Sequence, residues 1–155
     1  MKYSCTRQLP DGAWWCGAAE NAHWIDNFHT GFNLDSLKCY QEMRGRDVRC
    51  RISKRGSRCF AATFFEATGR PRYYHNRAQP IDIQCASQAI ETLAKFSPEY
   101  DFALPLGMRV AKWTIDNMQD ATGCFYYRRY PLITAKIPML HWGQATMYQA
   151  RCRFC

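Results

Sequence analysis

The sequence has no apolar run near the roughly 20 residues that a bilayer crossing requires, so no membrane span is expected. It has no low-complexity tract and no long linker rich in Pro, Ser or Gly. The 155 residues therefore read as one domain with a real core, residues 1–155. The stretch from Met1 to Arg7 lacks the apolar segment of a secretory signal, and a cytoplasmic location is expected. A disulfide framework is also missing. The nine cysteines are odd in number and scattered, and only Cys152-Arg153-Phe154-Cys155 has the C-x-x-C form. Without a second such pair there is no four-ligand zinc pattern, and buried, reduced thiols are expected.

Acid is scarce. The net charge is +8, and the excess is concentrated in residues 44–58, where Arg44, Arg46, Arg49, Arg51, Lys54, Arg55 and Arg58 face a single acid, Asp47. Arg51, Lys54, Arg55 and Arg58 share one side of a helix by their spacing. No reader motif and no interleaved aromatic accompanies them. The stripe reads as a solvated outer face, and no nucleic-acid partner is expected.

What the chain does have is internal repetition. Three stretches share one grammar: a glycine turn, a short aromatic-rich extended segment, then a helix. The turns are Pro10-Asp11-Gly12, Thr68-Gly69 and Ala121-Thr122-Gly123, followed by Trp14-Trp15, Tyr73-Tyr74 and Phe125-Tyr126-Tyr127. The small residues Gly31, Ser87 and Gly143 recur at intervals of 56, near the starts of the helices. A fixed period of this size marks repeated supersecondary units. In the middle unit, helices are expected over 83–96, broken by Ser97-Pro98, and over 104–118. In the first unit the second helix, 47–65, is weakened by Gly56 inside it. Units of about 55 residues, each a helix pair with a glycine-aromatic turn, build closed toroids. The expected fold class is all-α, a partial α/α toroid of helix hairpins with short aromatic-rich extended segments at Gly turns.

Gln8 to Trp14 and Gln119 to Phe125 have the form Gln-x-x-x-Gly-x-aromatic. This resembles the structural turn motif of α/α-toroid proteins such as the terpenoid cyclases, in which the glutamine caps a helix end and the ring stacks on it. The segments 24–31, 70–77, 80–87 and 125–131, with His141-Trp142-Gly143-Gln144, resemble the C-terminal part of bacterial proteins of the six-hairpin glycosidase-like superfamily. That resemblance implies polysaccharide metabolism, with uronyl hydrolases, polysaccharide lyases and glucuronyl epimerases among the wider relatives. Some close members carry the label delta-aminolevulinic acid dehydratase. This chain shows neither the βα alternation nor the Schiff-base lysine pair of such an enzyme. About two and a half units are present where six close a ring. The chain is thus expected to be a fragment with truncated first and last repeats. Its cut ends, around Trp14, Trp15 and Trp24 and around Leu140, Trp142, Met147 and Phe154, are expected to be exposed and to favour self-association.

In such a toroid the cleft collects the segments before each first helix. The repeat offset pairs Asp26 with Asp82 and puts His29, Cys85 and His141 at one equivalent position. The candidate catalytic residues are Asp26, His29, His75 and Asp82. The candidate saccharide-binding residues are Trp24, Tyr73, Tyr74, Arg77, Tyr127, Arg128, Arg129, His141 and Trp142. Aromatic faces stack on sugar rings, and guanidinium groups pair with a uronate carboxylate. A carboxylate pair serves acid–base work on a glycosidic bond, and a Tyr or His can take a proton α to a carboxylate. The same two aspartates also stand where helix N-termini favour acids, a purely structural role. Consecutive units need not bring equivalent positions within bonding distance, so His29, Cys85 and His141 are not expected to bind zinc. No cofactor and no metal are expected. The expected partner is a saccharide or polysaccharide, uronate-containing ones included, which the protein either transforms or simply binds as a non-catalytic scaffold.

Overall fold

The computed structural model describes residues 2–44 and 49–153. Arg46, Asp47 and the Arg49 side chain of the basic window lie outside the described residues, as do Phe154 and Cys155. The described chain is mainly helical: α1 (Lys2–Thr6), α2 (Asn27–Arg44), α3 (Arg49–Thr63), α4 (Ile83–Phe96), α5 (Ala103–Met118) and α6 (Thr146–Arg151). A π-helical turn, Leu140–Ala145, leads into α6. The middle hairpin falls where the apolar spacing puts it. Asp82 starts α4 from an extended conformation, its carboxylate accepting from the Gln84 N–H at 2.8 Å. At the other end the Ser97 hydroxyl donates to the Ala94 carbonyl at 2.8 Å, one residue before Pro98. Along α5, Ala103, Leu106, Val110, Thr114 and Met118 turn inward at helical spacing.

The three glycine turns are built alike. Among the described residues, Gly12, Gly69 and Gly123 are those with positive φ, at 102°, 89° and 91°. In each, the glycine N–H donates three residues back, to Leu9, Glu66 or Asp120, and that residue's N–H donates to Ala13, Arg70 or Cys124. Gln8 and Gln119 close their turns in the same way, Nε2 donating to the Gly12 carbonyl at 3.0 Å and the Gly123 carbonyl at 2.7 Å. Gln8 reaches further: Nε2 also donates to the Ile52 carbonyl on α3, and its Oε1 accepts from Arg55. The glutamine thus clamps its turn to the second helix of the unit. Gly56 is a packing slot for a neighbour. A Cβ there would stand 2.8 Å from the Trp14 ring and 2.9 Å from the Leu34 side chain. Trp14 is buried, which corrects the expectation that it is exposed; Met147 is buried too, whereas Trp15, Trp24, Leu140 and Trp142 are exposed.

The helices pack as a series. α2 lies on α4 and α4 on α6, while α3 and α5 back α2 and α4 respectively. The small residues at the 56-residue interval sit between neighbouring first helices. The Gly31 carbonyl approaches the Thr92 hydroxyl, and the Ser87 hydroxyl donates to Thr146 at 3.0 Å. Phe60, Phe64, Leu34, Leu37, Ile90, Phe96, Val110 and Met118 fill the core. A feature absent from the all-α expectation is a small antiparallel sheet in the order β1 (Ile81–Asp82), β2 (Arg128–Arg129), β3 (Thr134–Ala135). Strands two residues long leave no alternation for a sequence to display.

Arg51, Lys54, Arg55 and Arg58 are all exposed on α3, the solvated face their spacing implies. The seven described cysteines other than Cys50 are free thiols, as expected, but only Cys85 is buried, and Cys39 and Cys152 are open to solvent. No helix among the described residues is long and apolar enough to cross a membrane.

Candidate functional site

The segments before α2 and α4 are each joined to the aromatic segment of the next unit. Asp26 bridges Tyr74 and Asp82 pairs with Arg128, both antiparallel. The next backbone N–H repeats the match, Asn27 donating to the Tyr73 carbonyl at 2.8 Å and Ile83 to the Tyr127 carbonyl at 3.1 Å. One strip of backbone therefore carries Asp26, Tyr73, Tyr74, Asp82, Tyr127 and Arg128 along the N-terminal ends of α2 and α4. His75 joins it through its N–H, which donates to the Ile25 carbonyl at 3.2 Å.

Both aspartates are buried, each 1% exposed, and both cap helices. Asp26 Oδ1 accepts from the His29 N–H at 2.8 Å, and Asp82 Oδ1 from the Gln84 N–H. Their remaining oxygens are engaged as well. Trp24 Nε1 donates to Asp26 Oδ2 at 3.1 Å, and His29 Nδ1 lies 2.8 Å from the same oxygen. Arg128 donates to Asp82 Oδ2 from Nε at 2.7 Å and pairs with it through a terminal nitrogen at 2.5 Å. These carboxylates orient other groups; neither presents a free oxygen to solvent.

What the strip does present is aromatic rings and cations. The Arg128 guanidinium lies 4.9 Å from the Tyr127 ring centre and 5.5 Å from that of Tyr73, whose ring is 4.5 Å from Tyr74. Arg77, exposed, stacks 4.1 Å from the Tyr74 ring. Arg129 is exposed beside them on β2. Burial first, and then the nearby Cys85, Asp26 and Asp82, push the Tyr73 phenol far above its ordinary range. That direction favours the neutral hydroxyl of Tyr73 over the phenolate a proton-abstracting base needs. The hydrogen bond to Asp26 raises His29 above the ordinary imidazole value, against a smaller opposing effect of burial. Burial, and then the Asp26 charge, raise the Cys16 thiol.

His141 and Trp142 are exposed on the π-helical turn, their rings edge to face. No hydrogen bond, ion pair or ring contact joins either to the strip among the described residues. His29, Cys85 and His141 do not assemble either. The trio that does is Cys16, Asp26 and His29, whose ligand atoms all lie within 4.8 Å of one another. Cys16 is missed by motif reasoning, because it stands ten residues before Asp26 on a loop. It arrives there by a fold-back in which its N–H donates to the Trp24 carbonyl at 2.8 Å.

No family model, curated protein or solved structure matches the chain.

Proposed function

We propose that the chain is a unit of a carbohydrate-handling α/α-toroid protein of the six-hairpin glycosidase-like type, and that its strip binds a saccharide, in particular one bearing uronate carboxylates. The observation that carries this is the row of Tyr73, Tyr74 and Tyr127 interleaved with Arg77, Arg128 and Arg129. Flat ring faces suit the apolar faces of sugars, and guanidinium forks suit carboxylates. The succession of helix hairpins joined by matching glycine turns supports the toroid-type architecture. The engagement of Asp26 and Asp82 in capping favours binding over a two-carboxylate hydrolysis within this chain, which requires one carboxyl to protonate the leaving oxygen and another on the opposite face. His75 is the exposed acid–base group that remains beside the strip.

Calorimetric titration with uronate oligosaccharides and with neutral oligosaccharides of the same length tests this. The uronate series should bind, and Arg77→Ala should weaken it about tenfold, since a charge-assisted hydrogen bond contributes ~1.5–3 kcal/mol when made and exposure reduces it. Chromatography of the incubated sugar separates binding from turnover. Absence of heat and of product with either series would refute the proposal.

A further inference from the structure

Cys16, Asp26 and His29 converge in a manner that a hydrogen-bonded relay does not require. A nucleophile–base–acid relay uses both nitrogens of its imidazole, one for the thiol and one for the carboxylate. Here both partners address the same atom. Cys16 Sγ is 3.7 Å from His29 Nδ1, and the Asp26 oxygens are 2.8 Å and 3.0 Å from it. That arrangement does not set up a relay, whereas three ligand atoms within 4.8 Å of one another suit a shared cation. In a tetrahedral zinc site with ligands at ~2.0–2.3 Å, neighbouring ligand atoms lie about 3.3–3.6 Å apart. The sulfur–nitrogen separation is already close to that. The nitrogen–oxygen pair needs to open by about 0.5 Å, as it does when a metal replaces a shared proton.

The supports are in place too. Asp26 is held by the backbone N–H of His29 on Oδ1 and, from outside the trio, by the Trp24 indole N–H on Oδ2. The Trp24 carbonyl pins the Cys16 backbone at 2.8 Å, so a single residue positions two of the three donors. Outer donors of this kind fix ligand orientation in metal sites. Thiolate, imidazole and carboxylate together suit Zn²⁺ better than the hard cations that prefer oxygen alone. On the open side, half of the His29 side chain is exposed, and Cys16 lines a cavity of about 510 Å³ with Trp14, Trp15 and His23.

We propose that Cys16 Sγ, His29 Nδ1 and Asp26 Oδ2 bind one Zn²⁺, with water in the fourth position. Coordination releases the thiol proton to solvent, and His29 binds as the neutral tautomer with its proton on Nε2, the Nδ1 proton moving to Nε2 from the neutral ring or to solvent from the cation. The site shares Asp26 with the strip, but metal binding there requires no saccharide.

The test is a titration of the reduced full chain with Zn²⁺ against a chromophoric chelator, repeated with Co²⁺ to read the thiolate-to-cobalt absorption. It is run in a Cys152→Ser background, to remove the terminal C-x-x-C pair. One tight equivalent is expected, with a tetrahedral cobalt spectrum. Cys16→Ser should abolish the charge-transfer band and weaken zinc at least 100-fold, and His29→Gln should do the same to affinity. Trp24→Phe, which removes only the supporting indole N–H, should weaken it about 10-fold. Far-UV circular dichroism of each variant verifies that it folds, and the cobalt spectrum of the parent chain stands whether or not a variant folds. No bound metal in the parent chain, an octahedral spectrum without a thiolate band, or undiminished zinc in folded Cys16→Ser each overturns the proposal.

Discussion

At the scale of single residues, the three turn glycines look interchangeable in sequence and are not so in space. All three have positive φ, which costs an L-residue roughly 1–2 kcal/mol. A Cβ on Gly12 would also stand 2.7 Å from the Arg55 carbonyl oxygen, and one on Gly69 would stand 2.5 Å from that of Arg109. Both obstacles are backbone and cannot rotate away. At Gly123 the nearest atom is the end of Gln119, at 3.8 Å. Gly123→Ala should therefore cost about the backbone strain alone, ~1–2 kcal/mol, while Gly12→Ala and Gly69→Ala cost more. Urea melts of the three variants decide it, and equal losses would show that the turns do not press on the second helices. The residue type of the turns is legible in sequence because positive φ selects glycine wherever it occurs. Their contacts are not legible, because Arg55 and Arg109 lie some 40 residues downstream. Cys16 is hidden for a different reason, since only an irregular loop fold-back brings it to Asp26 and His29, whereas Asp26 and Asp82 are legible as caps because a cap's partners are local.

Between elements, the repeat extends to charge. Asp35 and Glu91 occupy equivalent positions, 56 residues apart, and each reaches to the next first helix. Asp35 accepts from Gln88 and Lys95 of α4, at 2.9 Å and 2.8 Å. Glu91 accepts from Gln149 at 3.1 Å and pairs with Arg153 at 3.3 Å, besides Lys95 on its own helix. Their acidities diverge. Burial dominates at Asp35 and raises it, in spite of Lys95. At Glu91 burial again opposes ionisation, but Lys95, Gln149 and Arg153 together bring the group below its ordinary value. A lowered carboxylate contributes stability above its unfolded value of about 4.3, and that contribution fades as pH falls through the lower folded value. Glu91→Gln should thus destabilise by about 0.5–1 kcal/mol at pH 7. The gap to the parent chain should close as the pH drops below ~4. Denaturation midpoints from pH 7 to pH 3 measure it, and a gap that persists at pH 3 would assign the loss to packing. The helices themselves are legible from the 3.6-residue apolar period. The bridges between them are legible only once the repeat offset is applied to polar positions as well as apolar ones.

For the whole molecule, the unit-to-unit pairing has an open member. The segment before α2 is covered by Tyr74, and the one before α4 by β2. No strand or bridge forms along 137–139, the corresponding segment before the last helix, among the described residues. The exposure follows: Ile81 is 2% exposed, whereas its equivalent Ile137 is 62% exposed. Close to it in sequence, Leu132, Ile133, Leu140 and Trp142 are also open to solvent. So many large exposed apolar side chains in one short stretch are unusual for a monomer, and covering ~400 Å² of them is worth roughly 10 kcal/mol before the entropy of association. A second copy of the chain should cover this edge, giving a molecular mass that rises with protein concentration in light-scattering chromatography. Replacing Ile133 and Leu140 together by Ser should hold the chain at the monomer mass, since neither side chain contributes to the buried core. A monodisperse monomer of the parent chain at every concentration would show that the exposed edge is tolerated without a partner.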